Sequence, residues 1–213
     1  ERRLALKRLR LPPGLDPRLE RRRWARFIEE ARIAGRLEHP GIVPIHDLGR
    51  DAEGRPFFTM RLVEGQNLAE LLAQRRQAPV GEWSLPRLVG VLLRVAETLA
   101  FAHHAGVIHR DLKPANVMVG RFGETYVVDW GLARRLTAPA GRAERVFGPD
   151  SAEGSALDTQ AGDVVGTPAY MAPEQALGDP EAVGAAADVY ALGALLYESL
   201  AGQPPYPGGA RQA

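Results

Sequence analysis

Cysteine is absent from the 213 residues. That excludes disulfide scaffolds, thiolate nucleophiles and cysteine-ligated metals, and it fits a reducing compartment. No apolar run approaches the roughly 20 residues that a membrane-spanning helix needs; the longest near the C-terminal end covers residues 189–197. No secretory leader is visible, so the expected location is the cytoplasm, with an anchor elsewhere in a longer parent left open. An excess of one charge is also lacking. The 27 basic and 26 acidic residues give a net charge of +1, which offers nucleic acid or an anionic membrane no electrostatic hold. The chain opens on Glu1 rather than methionine and runs directly into a strand-like pattern, so it reads as a piece of something longer.

Lysine is nearly missing too. The basic residues comprise 25 arginines and only two lysines, Lys7 and Lys113. Arginine replaces lysine cheaply at a solvated surface but not where a compact point charge is needed. Both lysines are therefore candidates for specific work.

What is present, 45% hydrophobic and 25% charged residues, is ordinary for a globular chain of one large or two small domains. Residues 3–9 alternate as a strand with Lys7 near its end. After a loop holding Pro12, Pro13, Gly14 and Pro17, residues Trp24, Phe27, Ile28, Ala31, Ala34 and Leu37 recur at helical spacing. They predict a helix over 20–37, with Glu30 beside the apolar stripe. A strand beginning at Ile42 and another over 56–63, joined by a turn at 51–54, read as a hairpin. Gly65 breaks the pattern, and Asn67 caps a short helix through Arg76. A longer helix covers 85–105 and stops at Gly106. Residues 132–165 have no apolar periodicity, and a loop of that length is functional or disordered. The last predicted helix, 185–200, is strongly apolar yet carries Asp188, an acid whose burial demands hydrogen bonds.

The densest chemistry lies between Val107 and Gly131. His109-Arg110-Asp111 is followed by Lys113, Asn116 and a strand ending in Asp129-Trp130-Gly131; further on, Gly166-Thr167-Pro168 leads into Ala172-Pro173-Glu174. A lone His-Arg-Asp is a weak signal. With lysine two residues on, asparagine five on and Asp-x-Gly beyond one hairpin, it is specific. On these motifs the chain resembles the eukaryotic-type Ser/Thr protein kinases, in the manner of their bacterial members, over nearly its whole length.

The resemblance implies an α+β fold of two lobes. Residues 1–62 would form a partial small lobe of lysine strand, regulatory helix and hairpin. Residues 63–213 would form an incomplete helical lobe with the catalytic loop, Asp-Trp-Gly, an activation loop at 132–171 and the buried helix at 185–200. It implies ATP and Mg²⁺ (or Mn²⁺) as cofactors and a reaction in which positioning and charge neutralisation carry most of the catalysis. Asp111 would orient the attacking hydroxyl and accept its proton, and Lys113 would place a cation at the γ-phosphate. Asn116 and Asp129 would hold the metal through oxygen ligands. Lys7 matches the strand lysine of the family and Glu30 its helix partner, so both lysines of the chain fall on family lysine positions. Adenine would meet the Arg61 carbonyl and the Val63 N–H, with Met60 as gate and Ala5, Met118 and Val128 as walls; singly, each of these reads as core, and their value is only in the set. Trp130 stands where the family usually has phenylalanine. Arg110 and Arg134 would clamp a phosphate on the activation loop, at Thr159 by position, with Ser151 and Ser155 as alternatives. Thr167 would face Asp111 and Lys113 and favour Ser/Thr acceptors over Tyr. Asp188 and Glu174 are implied as structural acids, Asp188 tying its helix to His109-Arg110.

Two family features are not found. No glycine stands among the six residues before Lys7, where the family has a Gly-rich lid nearby, and Glu174 has only Arg211 downstream as a cation. The expectation is a fragment truncated at both ends, exposing apolar surface on its helical lobe and weak or inactive in isolation. The principal reading is a Ser/Thr protein kinase domain acting on protein substrates, with a kinase–kinase dimer as a route to trans-autophosphorylation. The alternative is a pseudokinase or nucleotide-binding scaffold. Small-molecule phosphotransferases of similar fold fit less well, because they usually lack the Gly-Thr…Ala-Pro-Glu segment.

Overall fold

The computed structural model describes residues 3–12, 14–78, 81–135, 167–178 and 182–206. Thr159, Ser151, Ser155, Arg211 and most of the 132–171 loop lie outside the described residues.

The fold is α+β in two lobes. In the smaller, strand β1 (Leu4–Arg8) pairs antiparallel with β3 (Pro56–Arg61), which pairs in turn with β2 (Ile45–Arg50), giving the order β1-β3-β2. On β1 the alternation leaves Ala5 and Lys7 half-buried, as is Leu9 just beyond it, while Leu4 and Leu6 are exposed. Helix α1 (Pro17–Arg36) lies against this sheet through Phe27, Ala31 and Phe58. It begins three residues earlier than the apolar periodicity predicts. Asp16 caps it, accepting from the Arg18 N–H at 2.7 Å, and Pro17 occupies the first helical turn, where its missing N–H costs nothing.

The larger lobe is built on three helices. α2 (Leu68–Gln77) starts with a reciprocal capping box between Asn67 and Glu70. α3 (Leu85–His104) ends at Gly106, whose φ of 74° is the left-handed value that favours glycine. α5 (Ala185–Ala201) ends at Gly202, again left-handed, with its N–H on the Glu198 carbonyl at 2.8 Å. A four-residue helix, α4 (Pro173–Ala176), precedes it.

Short strands connect these helices. β4 (Gly65–Asn67), β6 (Val117–Gly120) and β7 (Thr125–Val127) form one antiparallel sheet in the order β4-β6-β7, and β5 (Val107–Ile108) pairs with β8 (Arg134–Arg135). Gly65 is thus inside a strand. Its Cα lies so close to β6 that an added Cβ would sit 2.0 Å from the Val119 carbonyl oxygen.

One core joins the lobes. Ile33 and Leu37 of α1 and Ile42 pack with Leu71, Leu88, Val95, Leu99, Val127, Trp130 and Leu195. At the junction the Gly41 carbonyl accepts from the Val127 N–H at 2.8 Å, and His39 stacks on Phe101 of α3. Apolar side chains also remain outside: Val89 and Leu93 of α3 and Val189, Leu196 and Leu200 of α5 are exposed. Among the described residues, no helix is long and apolar enough to cross a membrane.

Candidate active site

The loop after β5, from His109 to Lys113, is held from below by one buried acid. Asp188 of α5, 1% exposed, accepts from the backbone N–H of His109 and of Arg110, each at 2.8 Å. Its Oδ2 also meets His103 Nε2 of α3 at 2.7 Å. Burial alone would raise the Asp188 pKa, but the hydrogen bonds from His103, His109 and Arg110 outweigh it and hold the carboxyl below its ordinary value. Arg110 is held at φ 69°, a sparsely populated region for a side-chain-bearing residue, of order 1–3 kcal/mol in cost. The hydrogen bond to Asp188 helps to hold it there.

His109 is fully buried and reads the loop from the other side. Its Nδ1 accepts from the Asp111 N–H at 3.2 Å, so Nε2 carries the proton and donates to the Val128 carbonyl at 3.1 Å. Its ring meets Trp130 edge-on, with centroids 4.8 Å apart. Trp130 is buried, and its indole N–H donates to the Val127 carbonyl at 3.2 Å. The larger ring therefore keeps the apolar packing expected there while satisfying its one polar atom.

Above this floor the polar side chains converge on Asp111, itself 8% exposed. Lys113 Nζ lies 2.7 Å from Asp111 Oδ2, and the Thr167 hydroxyl donates to Oδ1 at 3.0 Å. The Asn116 amide nitrogen donates to the Asp111 carbonyl at 2.9 Å and to Oδ2 at 3.3 Å. That orients the amide so that its oxygen is left for another ligand.

The second group joins Lys7 and Glu30 of the smaller lobe to Asp129 of the larger. Lys7 Nζ lies 2.5 Å from Glu30 Oε1 and 2.9 Å from Asp129 Oδ1. Burial acts to lower the Lys7 pKa, but Glu30 and then Asp129 prevail and hold the amine above its ordinary value. Asp129 is held below its ordinary value: burial opposes ionisation, and Lys7 more than offsets it. Glu30 is more deeply buried than Lys7, and that burial lifts its carboxyl above its ordinary value despite the lysine. Gly131 makes room for the cluster, since an added Cβ would lie 3.2 Å from Glu30 Oε2 and 3.3 Å from Asp129 Oδ1. Asp129, like Arg110, has a positive φ, 63°.

The remaining predicted positions fall around these two groups. Ala5 and Met60 are paired across β1 and β3, and Met118 and Val128 are half-buried beside Asn116. Arg61 ends β3, with its N–H on the Pro44 carbonyl at 3.2 Å, and Val63 follows half-buried in the connection to β4. Arg110 and Arg134 lie near each other. Burial first, then the like charges of Arg134 and Arg26, lower the Arg110 pKa. Glu174 is half-exposed, and no described cation pairs with it.

Several contributors escaped sequence reasoning. His103 reaches Asp188 across 85 positions. Gln175 donates to the Arg110 carbonyl at 2.8 Å and accepts from the Ala172 N–H at 3.3 Å. Tyr170 donates to Glu198 of α5 at 2.7 Å, and Arg76 of α2 meets the same carboxylate at 3.4 Å. Arg26 of α1 joins the Arg110–Arg134 neighbourhood. Only Gln175, beside the Ala-Pro-Glu motif, carried a local signal.

Comparison with known proteins agrees with this geometry. The family model described as "Protein kinase domain" matches residues 2–213. The chain is 36% identical over 216 residues to the serine/threonine-protein kinase PknD of Protochlamydia amoebophila, covering 98% of this chain and 21% of that protein. It is 38% identical over 210 residues to a probable serine/threonine-protein kinase of Streptomyces coelicolor, covering 97% and 27%. With the serine/threonine-protein kinase PknH of Mycobacterium bovis it shares 41% identity over 181 residues, covering 85% and 26%. The chain thus spans only a quarter or so of the length of these curated relatives.

Proposed function

This chain belongs to the protein kinase family, and from that premise we propose that the protein carrying it transfers the γ-phosphoryl group of ATP to serine and threonine hydroxyls of protein substrates. The observation that carries the proposal is the convergence on Asp111 of Lys113, Asn116 and Thr167, facing the Lys7–Glu30–Asp129 cluster. A scaffold that had lost catalysis would have no need to keep both sets.

The chemistry follows from the groups in place. The acceptor oxygen bonds to the γ-phosphorus, the bond from that phosphorus to the β–γ bridging oxygen breaks, and ADP departs with the electron pair. Asp111 orients the hydroxyl and takes its proton. Lys113, 2.7 Å from that carboxylate, sets a positive charge where negative charge spreads over the moving phosphoryl oxygens. Lys7 holds the α- and β-phosphates, and Glu30 fixes its direction.

The donor set fits a magnesium ion. The described residues hold no group of three or more His, Cys, Asp or Glu side chains placed to hold a metal ion, and the site offers one carboxylate and one amide oxygen. Magnesium is bound in this way, through few protein oxygens, with phosphates and water completing its shell. Asp129 and Asn116 would hold it, and when bound it supplies neutralisation of phosphate charge. Adenine would lie against Ala5, Met60, Met118 and Val128, bonded to the backbone of Arg61 and Val63. Those residues fall at the division we assign between lobes of residues 1–62 and 63–213. Arg110, Arg134 and Arg26 supply the cations that a phosphorylated activation loop would need, with Thr159 the assigned acceptor. Autophosphorylation between two copies is the corresponding regulatory route.

Transfer of labelled phosphate from ATP to matched serine, threonine and tyrosine peptides tests the proposal. Serine and threonine should be labelled and tyrosine not, and Asp111→Asn should cut kcat by about 10²–10⁴-fold. Equal labelling by wild type and Asp111→Asn would refute it.

A further inference from the structure

The turn between β6 and β7 holds out an aromatic ring. Phe122 is 91% exposed, the highest value among the large apolar side chains of the described residues. A single exposed apolar residue usually means little, but this one sits on a fixed turn. Its N–H donates to Glu124 Oε2 at 3.0 Å, and Gly123, with a left-handed φ of 86°, donates to the Gly120 carbonyl at 3.0 Å. Gly120 in turn donates to the Glu124 carbonyl at 2.8 Å, and Arg94 of α3 donates to the Gly123 carbonyl at 3.3 Å. The turn is set before any partner arrives, which lowers the ordering cost of binding through it.

A cleft opens beside the same turn. Its volume is about 380 Å³, within the roughly 300–1,000 Å³ range of pockets that enclose small ligands. β4 and β6 meet there at Gly65 and Gly120, whose missing side chains leave bare backbone, and Val119 and Trp83 supply apolar surface. Trp83 is half-buried, and the Arg87 guanidinium lies 4.1 Å from its ring centre. Phe122 does not line the cleft, although Gly120 and Arg121 immediately before it do. Knob and hole therefore stand side by side on one face and do not fill each other within one copy.

That arrangement suits a two-fold axis. An isologous contact sets a surface against itself, so a knob beside a hole is met twice, once in each direction. The face must also not repel its own copy. Here the rim carries both signs in equal number: Glu82 pairs with Arg87 at 2.8 Å and Glu64 with Arg121 at 3.4 Å. Helix α1, with seven arginines and three acids, would fail that requirement.

We propose that Phe122 of one copy inserts into the Trp83 cleft of a second copy, and the reverse, so that this face forms a two-fold dimer. An aromatic side chain buries about 150–250 Å². Two such rings and the charged rim make a small interface, of the kind that forms transiently. Neither Asp111 nor Thr167 lines the cleft, and the pairing does not rest on the kinase reading.

Sedimentation velocity of the full-length protein that carries this chain, over a range of concentrations, tests the proposal. Wild type should form a concentration-dependent dimer, and Phe122→Ala should weaken it by at least about tenfold. Trp83→Ala should weaken it comparably. Gln66→Trp, which fills the cleft from β4, replaces that variant if circular dichroism shows it unfolded. The sharper readout is a mixture. Phe122→Ala keeps its cleft and Trp83→Ala keeps its knob, so a mixed pair regains one of the two contacts that each variant alone has lost. The mixture should associate more tightly than either variant alone and less tightly than wild type. Monomers at every concentration would leave the cleft to a different partner and overturn the proposal. So would an affinity that Phe122→Ala leaves unchanged, or a mixture no tighter than its components.

Discussion

The two halves of the site are held in different ways. On the catalytic-loop side, a carboxylate with 1% exposure takes two backbone N–H groups and an imidazole, all within 2.8 Å. In the group that bridges the lobes, Lys7 and Asp129 have side chains 37% and 46% exposed, and only Glu30 is buried. Buried, satisfied hydrogen bonds fix backbone geometry, whereas partly exposed ion pairs are screened and hold little. The floor is therefore set by the fold, while the lysine side depends on where α1 stands.

Removing the anchor of the rigid half should do the most damage. Asp188→Ala strands buried donors from His109, Arg110 and His103, and should cost about 3 kcal/mol or more of stability by urea unfolding. Lys7→Met should separate the two halves cleanly. Transfer should fall by about 10²-fold or more, yet stability should change by no more than about 1 kcal/mol, because the pair is partly exposed. A stability loss as large as that of Asp188→Ala would erase the distinction.

The junction offers a third test. A Cβ on Gly41 would sit 2.0 Å from Thr98 Oγ1 of α3. Gly41→Ala should thus cost about 1–3 kcal/mol by overpacking, and it should disturb transfer by shifting α1 against the larger lobe, while the Asp188 contacts stay in place.

Acid titration gives the smallest and most specific contrast, because Asp188 and Glu30 shift in opposite directions. Asp188 is held below its ordinary value, so the unfolded chain binds the extra proton and stability is lost as pH falls through the depressed pKa. Glu30 is held above its ordinary value by burial, so the folded chain binds the extra proton and its contribution improves as pH falls through the raised pKa. In unfolding free energy against pH, Asp188→Asn should flatten the loss below the ordinary aspartate range. Glu30→Gln should remove the opposite slope just above the ordinary glutamate range.

Much of this was legible in the sequence because it is local. Asp111, Lys113 and Asn116 lie within six residues, and the strand around Lys7 and the helix around Glu30 each show their own period. The start of α1 was misjudged because Pro17 resembles a loop residue until Asp16 is known to cap it. β4 and β6 were obscured by their three- and four-residue lengths and by Gly65, which is required by close strand approach rather than by a break. His103–Asp188 and Tyr170–Glu198 were unreadable for a different reason. They join elements 85 and 28 residues apart, and nothing in the local pattern of either partner names the other.

The central claim, a floor fixed by Asp188 beneath a conditional lysine half, is tested most directly by residue-resolved hydrogen exchange at the His109 and Arg110 amides. In Lys7→Met their protection should stay within about threefold of wild type. In Asp188→Asn, which keeps the shape but trades an ionised acceptor for a neutral one, it should fall by about tenfold or more. Equal loss of protection in both variants, or none in Asp188→Asn, would contradict the account.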